Sequence, residues 1–239
     1  MPLLTPPRRR GVEYLDAPDV DPRLVRRSLR DVALSNRLFG GVRAVLAELA
    51  PTFAAAAAGA GRRDGGAPLT LLDVGTGYGD IPARARQAAG RRGVALTTVG
   101  VDAAEELASG NRQRIGLSVC GDGLALPFAD RSVDVVTCSQ VLHHFLDGEA
   151  GRLLREMDRV ARRRVIVSEL RRSWIAAGGI WLASFPLRFH PVSRHDGVVS
   201  VLRGFTRREL RESVRAAVGQ VPEVHHRLAW RVTASWTPR

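Results

Sequence analysis

Between Leu69 and Leu170, short apolar runs rich in β-branched residues alternate with amphipathic segments, and this order restricts the fold more than any other feature of the sequence. The runs are "LTLLDVG", "ALTTVGVD", "GLSVCGD", "SVDVVTCS" and "RRVIVSEL". Apolar spacing between them predicts helices near 81–89, 104–112 and 148–161. Such alternation predicts an α/β fold, a mostly parallel sheet with helices on both faces. The near-complete apolarity of the runs suits strands covered on both sides. Upstream, residues 22–49 carry a helical period broken at Gly40-Gly41, so two helices are expected there, behind a loose arm at 1–12. "FAAAAAGAGRRDGGAP" reads as a helix end and a linker. Downstream, "WIAAGGIWLASFPL" opens an apolar insertion, and "FHPVSRHDGVVSVL" after it reads as a polar loop. A helix over 207–217 and the runs "VPEVHHRL" and "AWRVTASW", an antiparallel pair, follow. The expected divisions are 1–65 (arm and helical cap), 66–172 (core), 173–205 (insertion) and 206–239 (helix and strands completing the sheet).

"LLDVGTGYGD", at 71–80, lies between a predicted strand and a predicted helix. Ligands of open α/β sheets bind beyond the carboxyl ends of the strands. Gly75, Gly77 and Gly79 allow backbone dihedrals closed to other residues and close approach of a ligand to the main chain. Asp80 is placed to cap the next helix and Pro82 suits its first turn. No Gly-Lys-Ser/Thr follows, which excludes a P-loop, and Asp80 stands where a dinucleotide fingerprint needs Gly or Ala. A nucleoside without phosphates fits better. Asp102, ending the second strand, can accept both hydroxyls of a ribose, and Asp122, ending the third, can accept from the amine of an adenine.

With "LDVGTGYG", Asp102, "GDGLALPF" and "SVDVVTCSQVLHHF" in this order and spacing, residues 69–170 resemble the class I S-adenosylmethionine-dependent methyltransferases. The resemblance implies a Rossmann-like, seven-stranded, mostly parallel sheet and S-adenosylmethionine as cofactor. It implies a methionine end near Asp73, Gly75, Thr76 and Gly77, with Ser139 by the amino group. It puts the ribose by Asp102 and Ala103 and the adenine by Asp122 and Gly123. "SNRLFGG" resembles an element that closes over the cofactor in related enzymes, with Arg37 facing the methionine carboxylate.

Methyltransferases of nucleic-acid bases tend to carry Asn/Asp-Pro-Pro-Tyr/Phe after the fourth strand. "CSQV" stands there instead and resembles the small-molecule branch, which includes quinone and natural-product enzymes. An apolar or aromatic acceptor is expected, methylated on oxygen first and carbon second, in secondary metabolism. A nucleic-acid methyltransferase and a non-catalytic cofactor-binding protein are the alternatives. The net charge of +12 keeps acidic partners open, but Arg is the sole basic residue besides His and much of it falls on predicted helix faces. Segment 174–187 reads as a substrate lid, with core packing and contact with a membrane surface as the other readings. His195 and His144 are the candidate catalytic bases, with Arg194 a candidate anion holder. The histidines lack metal-ligand spacing, so no metal is expected. Cys120 and Cys138 are expected to be reduced thiols in or near the core. No signal peptide and no 18-residue apolar stretch is recognised, so the expectation is a cytoplasmic protein, monomer or homodimer, without a membrane span.

Overall fold

The computed structural model describes residues 4–9, 11–17, 19–60, 68–104 and 115–239. Seven strands form one sheet in the order β3-β2-β1-β4-β5-β7-β6. They are β1 (Leu69–Val74), β2 (Leu96–Asp102), β3 (Leu117–Cys120), β4 (Val133–Ser139), β5 (Ala161–Leu170), β6 (Glu223–Arg227) and β7 (Arg231–Trp236). β1 to β5 run parallel, and β7 pairs antiparallel with both β5 and β6. The predicted runs therefore became strands in the predicted sense, including the antiparallel pair. All seven residues of β4 are buried, as expected of a central strand covered on both faces.

Seven helices lie among the described residues: α1 (Pro22–Leu38), α2 (Gly41–Ala60), α3 (Asp80–Gly90), α4 (Asp147–Val160), α5 (Trp174–Ser184), α6 (Pro191–Arg203) and α7 (Arg207–Val218). The helix expected near 104–112 falls largely outside the described residues. α2 and α3 cover one face of the sheet, where Val45, Leu49 and Phe53 pack with Ile81, Ala85 and Ala88 over Leu71 and Val135. α4 and α7 cover the other through Leu153, Leu154, Met157, Leu210 and Val214. By length and composition alone Gly41–Gly59 is long and apolar enough to cross a membrane. Its inner face is packed under the sheet, as in a core helix.

Four local expectations are corrected. Gly79, in the left-handed region at φ +71°, is the N-cap of α3, and Asp80 sits in the first turn. The expected loop at 190–203 is α6, begun by Pro191 and capped by the ring of His190, which accepts from the Val192 N–H. The arm is pinned where it is described: Arg172 Nε donates to Pro6 O at 2.7 Å and Arg8 Nε to Arg203 O at 2.8 Å. Cys138 is buried, but Cys120 is exposed.

α5 and α6 pack on each other beyond the carboxyl end of β5, and α1 closes the same side. The buried faces here are polar. Ser193 Oγ donates to Asp31 Oδ2 at 2.9 Å, and the same oxygen accepts from the His190 N–H at 2.9 Å. These helices roof the crevice that opens where the strand order reverses, between β1 and β4.

Candidate functional site

Two adjoining cavities occupy that crevice. The larger, about 450 Å³, lies at the carboxyl ends of β1, β2 and β4. Gly75 and Gly77 shape its floor at φ +67° and +51°. A Cβ on Gly75 would run into the Val141 side chain, so the turn closes only with glycine there. Asp102 fixes it from β2: Oδ2 accepts from the Gly77 N–H at 2.8 Å and Oδ1 from the Ala104 N–H at 3.1 Å. Burial pushes the Asp102 carboxyl up, against those backbone donors. Burial also pushes the Asp73 carboxyl up to about 7, against the Thr137 hydroxyl that donates to it at 2.7 Å.

The residues suit the implied cofactor. The Asp102 carboxylate, with three backbone donors, keeps acceptor capacity for a ribose hydroxyl. The Ser139 hydroxyl is buried in the cleft wall with no partner among the described residues, as an ammonium-binding oxygen would be. Asp73, Gly75, Thr76, Gly77, Asp102, Ala103, Gly123 and Ser139 all line the cleft. Asp122 does not. It is exposed, and its Oδ1 accepts from the Leu124 N–H at 2.8 Å, leaving Gly121 and Gly123 to face the cavity. Arg37 does not either. The helical period exposes it and turns Asn36 and Ala33 inward instead.

The second cavity, about 230 Å³, is walled mostly by apolar groups of α1, α5 and α6, among them Val32, Phe39, Ile175 and Ile180. The expected lid therefore does border a pocket, while Trp181, Leu182 and Phe185 on its outer side stay exposed. Glu13, Leu15, Val32, Gln140 and Ser200 line both cavities and so mark the junction. Gln140, at φ +57°, donates through its amide to Asn36 Oδ1 on α1.

His143 and His144 form a turn at this junction. His143 Nδ1 bonds Glu169 Oε2 at 2.8 Å, and His144 Nδ1 bonds Asp16 Oδ1 at 2.8 Å. Buried Glu13 sits 3.8 Å from His143 Nε2 and 4.0 Å from His144 Nε2. The absence of metal-ligand spacing along the chain thus did not prevent two imidazoles and a carboxylate from converging. His195 is placed differently. Its side chain is 46% exposed, Nδ1 bonds Asp196 at 2.9 Å, and its ring leans on Tyr14 outside both cavities. Arg194 is occupied by Ser184 Oγ, 2.7 Å from its Nε, and by the face of Phe185.

Sequence reasoning missed Glu13, Gln140, Glu169 and Arg231. Arg231, at the start of β7, is among the largest fully buried side chains and lines the apolar cavity. Its Nε donates to Phe39 O at 3.2 Å, while Nη1 has no partner among the described residues. Burial lowers its pKa to about 10 although Glu169 is near.

Residues 72–167 match a family model described as a methyltransferase domain. The fold is similar to a crystal structure of a SAM-dependent methyltransferase from Aquifex aeolicus, with a TM-score of 0.60 at 16% identity over 92% of this chain and all of that one. An uncharacterized methyltransferase of Mycolicibacterium vanbaalenii is 33% identical over 200 residues, covering 70% of each chain. The chain belongs to the class I S-adenosylmethionine-dependent methyltransferases. Its cofactor is S-adenosylmethionine. The methyltransferase is also 33% identical over 107 residues to demethylmenaquinone methyltransferase of Thermotoga maritima, covering 43% of this chain and 44% of that one. It spans about half the length, or less, of most of the curated relatives it matches.

Proposed function

We propose that this chain transfers the methyl group of S-adenosylmethionine to an oxygen, or secondarily a carbon, of a small apolar acceptor with an acidic hydroxyl: a phenol, a quinol or a carboxylic acid. The observation that carries this reading is the apolar cavity joined to the cofactor cleft, with the buried guanidinium of Arg231, without an ion-pair partner among the described residues, in its wall. A buried cation is costly unless it meets an anion. The carboxylates of the same wall already have donors of their own: Glu13 has Ser200 and Arg203, Asp31 has Ser193 and His190, and Asp196 has Tyr14 and Leu15. A phenolate, enolate or carboxylate therefore complements Arg231. Relatives named for demethylmenaquinone support an acceptor of quinone type.

The cofactor brings the methyl group already activated on a sulfonium, so the protein's work is alignment and exclusion of water. α5 and α6 exclude water. Glu13, Gln140 and Ser200 border the acceptor where the two cavities meet. His144 is the candidate from the sequence that lines the cleft. Burial opposes charge on its ring, but the Asp16 hydrogen bond and the nearby charges of Glu13, Asp16 and Glu169 together outweigh it and raise the pKa, which makes the ring a stronger proton acceptor. His195 would reach an acceptor only if α6 moved.

The test is transfer of labelled methyl from S-adenosylmethionine to a panel of alkylphenols, naphthoquinols and aryl carboxylic acids, beside their amine and alcohol counterparts. Turnover with the acidic members and a higher KM in Arg231→Met, with unchanged S-adenosylhomocysteine affinity, is expected. Turnover confined to the amines or alcohols would refute the reading.

A further inference from the structure

We infer that Glu13, His143 and His144 form a binding site for a divalent transition-metal ion at the junction of the two cavities. The geometry has four parts. First, the ligand atoms of the three side chains lie within 4.8 Å of one another. Second, both imidazoles are held by carboxylates at Nδ1, Glu169 for His143 and Asp16 for His144, each at 2.8 Å. A carboxylate on Nδ1 fixes the tautomer that leaves the Nε2 lone pair free and makes the ring a better ligand. Third, His143 Nε2 is buried without a hydrogen-bond partner among the described residues, and Glu13 stands 3.8 Å from it. That gap is too long for a hydrogen bond. It comes within a few tenths of an ångström of the roughly 3.4 Å separating two ligands about 2.1 Å from a tetrahedral ion. Fourth, three carboxylates (Glu13, Asp16 and Glu169) meet here, and Arg203 is the one guanidinium in direct contact with them among the described residues. Neutral imidazoles leave negative charge for a cation to offset.

Two imidazoles and a carboxylate suit Zn²⁺, Fe²⁺, Mn²⁺ or Co²⁺ and leave coordination positions open. Glu13 and Ser200 face both cavities, so an open position can take an acceptor oxygen and lower its pKa. With the ion bound, His144 is a ligand rather than a proton acceptor. The site itself does not depend on the proposed acceptor, because it can be measured with neither acceptor nor cofactor present.

Tag-free protein, treated with chelator and dialysed, is titrated with Zn²⁺ by calorimetry and with Co²⁺ by absorption. One equivalent of each is expected to bind, with Co²⁺ showing the d–d bands of a low-coordinate centre. Glu13→Gln and His144→Asn should each weaken binding by about tenfold or more, and Asp16→Asn, which removes the carboxylate on His144 Nδ1, by about tenfold. Thermal unfolding without metal verifies that the variants are folded. His225→Asn, on a different cluster, should leave the titration unchanged. Absence of uptake by folded protein, uptake indifferent to Glu13→Gln and His144→Asn, or uptake abolished by His225→Asn would each overturn the site.

Discussion

Replacing Asp102 tests the cofactor cleft at its most specific point. The carboxylate accepts backbone N–H groups, from Gly77 at 2.8 Å, Ala104 at 3.1 Å and Ala103, and its four lone-pair sites leave room for a ribose hydroxyl. Hydrogen bonds to a charged group contribute about 1.5–3 kcal/mol. Asp102→Ala should therefore weaken S-adenosylhomocysteine binding by roughly 10- to 150-fold. Asp102→Asn keeps one acceptor and should fall near the lower end. Calorimetric titration reads this directly, with methylthioadenosine as a second ligand that has the ribose but no amino-acid tail. Both ligands should lose the same factor. Unchanged affinity, or a loss confined to S-adenosylhomocysteine, would refute the ribose assignment. Burial pushes the Asp102 carboxyl up, so wild-type affinity should already fall at a pH where an ordinary aspartate is still ionised, and Asp102→Asn should flatten that decline.

Glu48 links α2 to the antiparallel strands through Thr233 at 2.6 Å, Ser235 at 2.9 Å and Arg227. Burial alone would push its carboxyl up, but those donors outweigh it and hold the pKa at about 2. Its contribution, about 3 kcal/mol, is complete above the unfolded value and lost as the pH falls toward 2. Glu48→Gln should lower Tm by about 6–12 °C at pH 7 and by less at pH 4, and a pH-independent difference would contradict this. Gly75→Ala adds a methyl against Val141 in a left-handed turn, so S-adenosylhomocysteine affinity should drop at least tenfold; near-wild-type binding would show that the turn relaxes at little cost.

The cofactor half of the molecule was legible because its information is local. Strand period, glycine turn and the acid ending β2 lie within one stretch of chain, and each has its own pattern. α6 was misread as a loop because its buried face holds Ser193 and Asp196, which leaves no hydrophobic period to detect. α1 also turns Ser28, Asp31 and Asn36 inward, but its helical period was legible all the same. Arg37 was assigned by motif, and the helical period then turned its neighbour Asn36 to the cleft. The junction was invisible for another reason. Glu13, His143, Glu169 and Arg231 come from four distant segments, and nothing in their local neighbourhoods distinguishes them from solvated charges or a helix-capping pair.

The two cavities also differ in how they are assembled. The walls of the cofactor cleft come largely from β1 to β4, neighbouring segments that follow one another from the ribosome. The apolar cavity needs Ser28, Asp31 and Phe39 from before that stretch and Trp230 and Arg231 from after it. Selection can remodel the flanks, and with them the acceptor, while the methyl-donor half passes unchanged from one activity to the next.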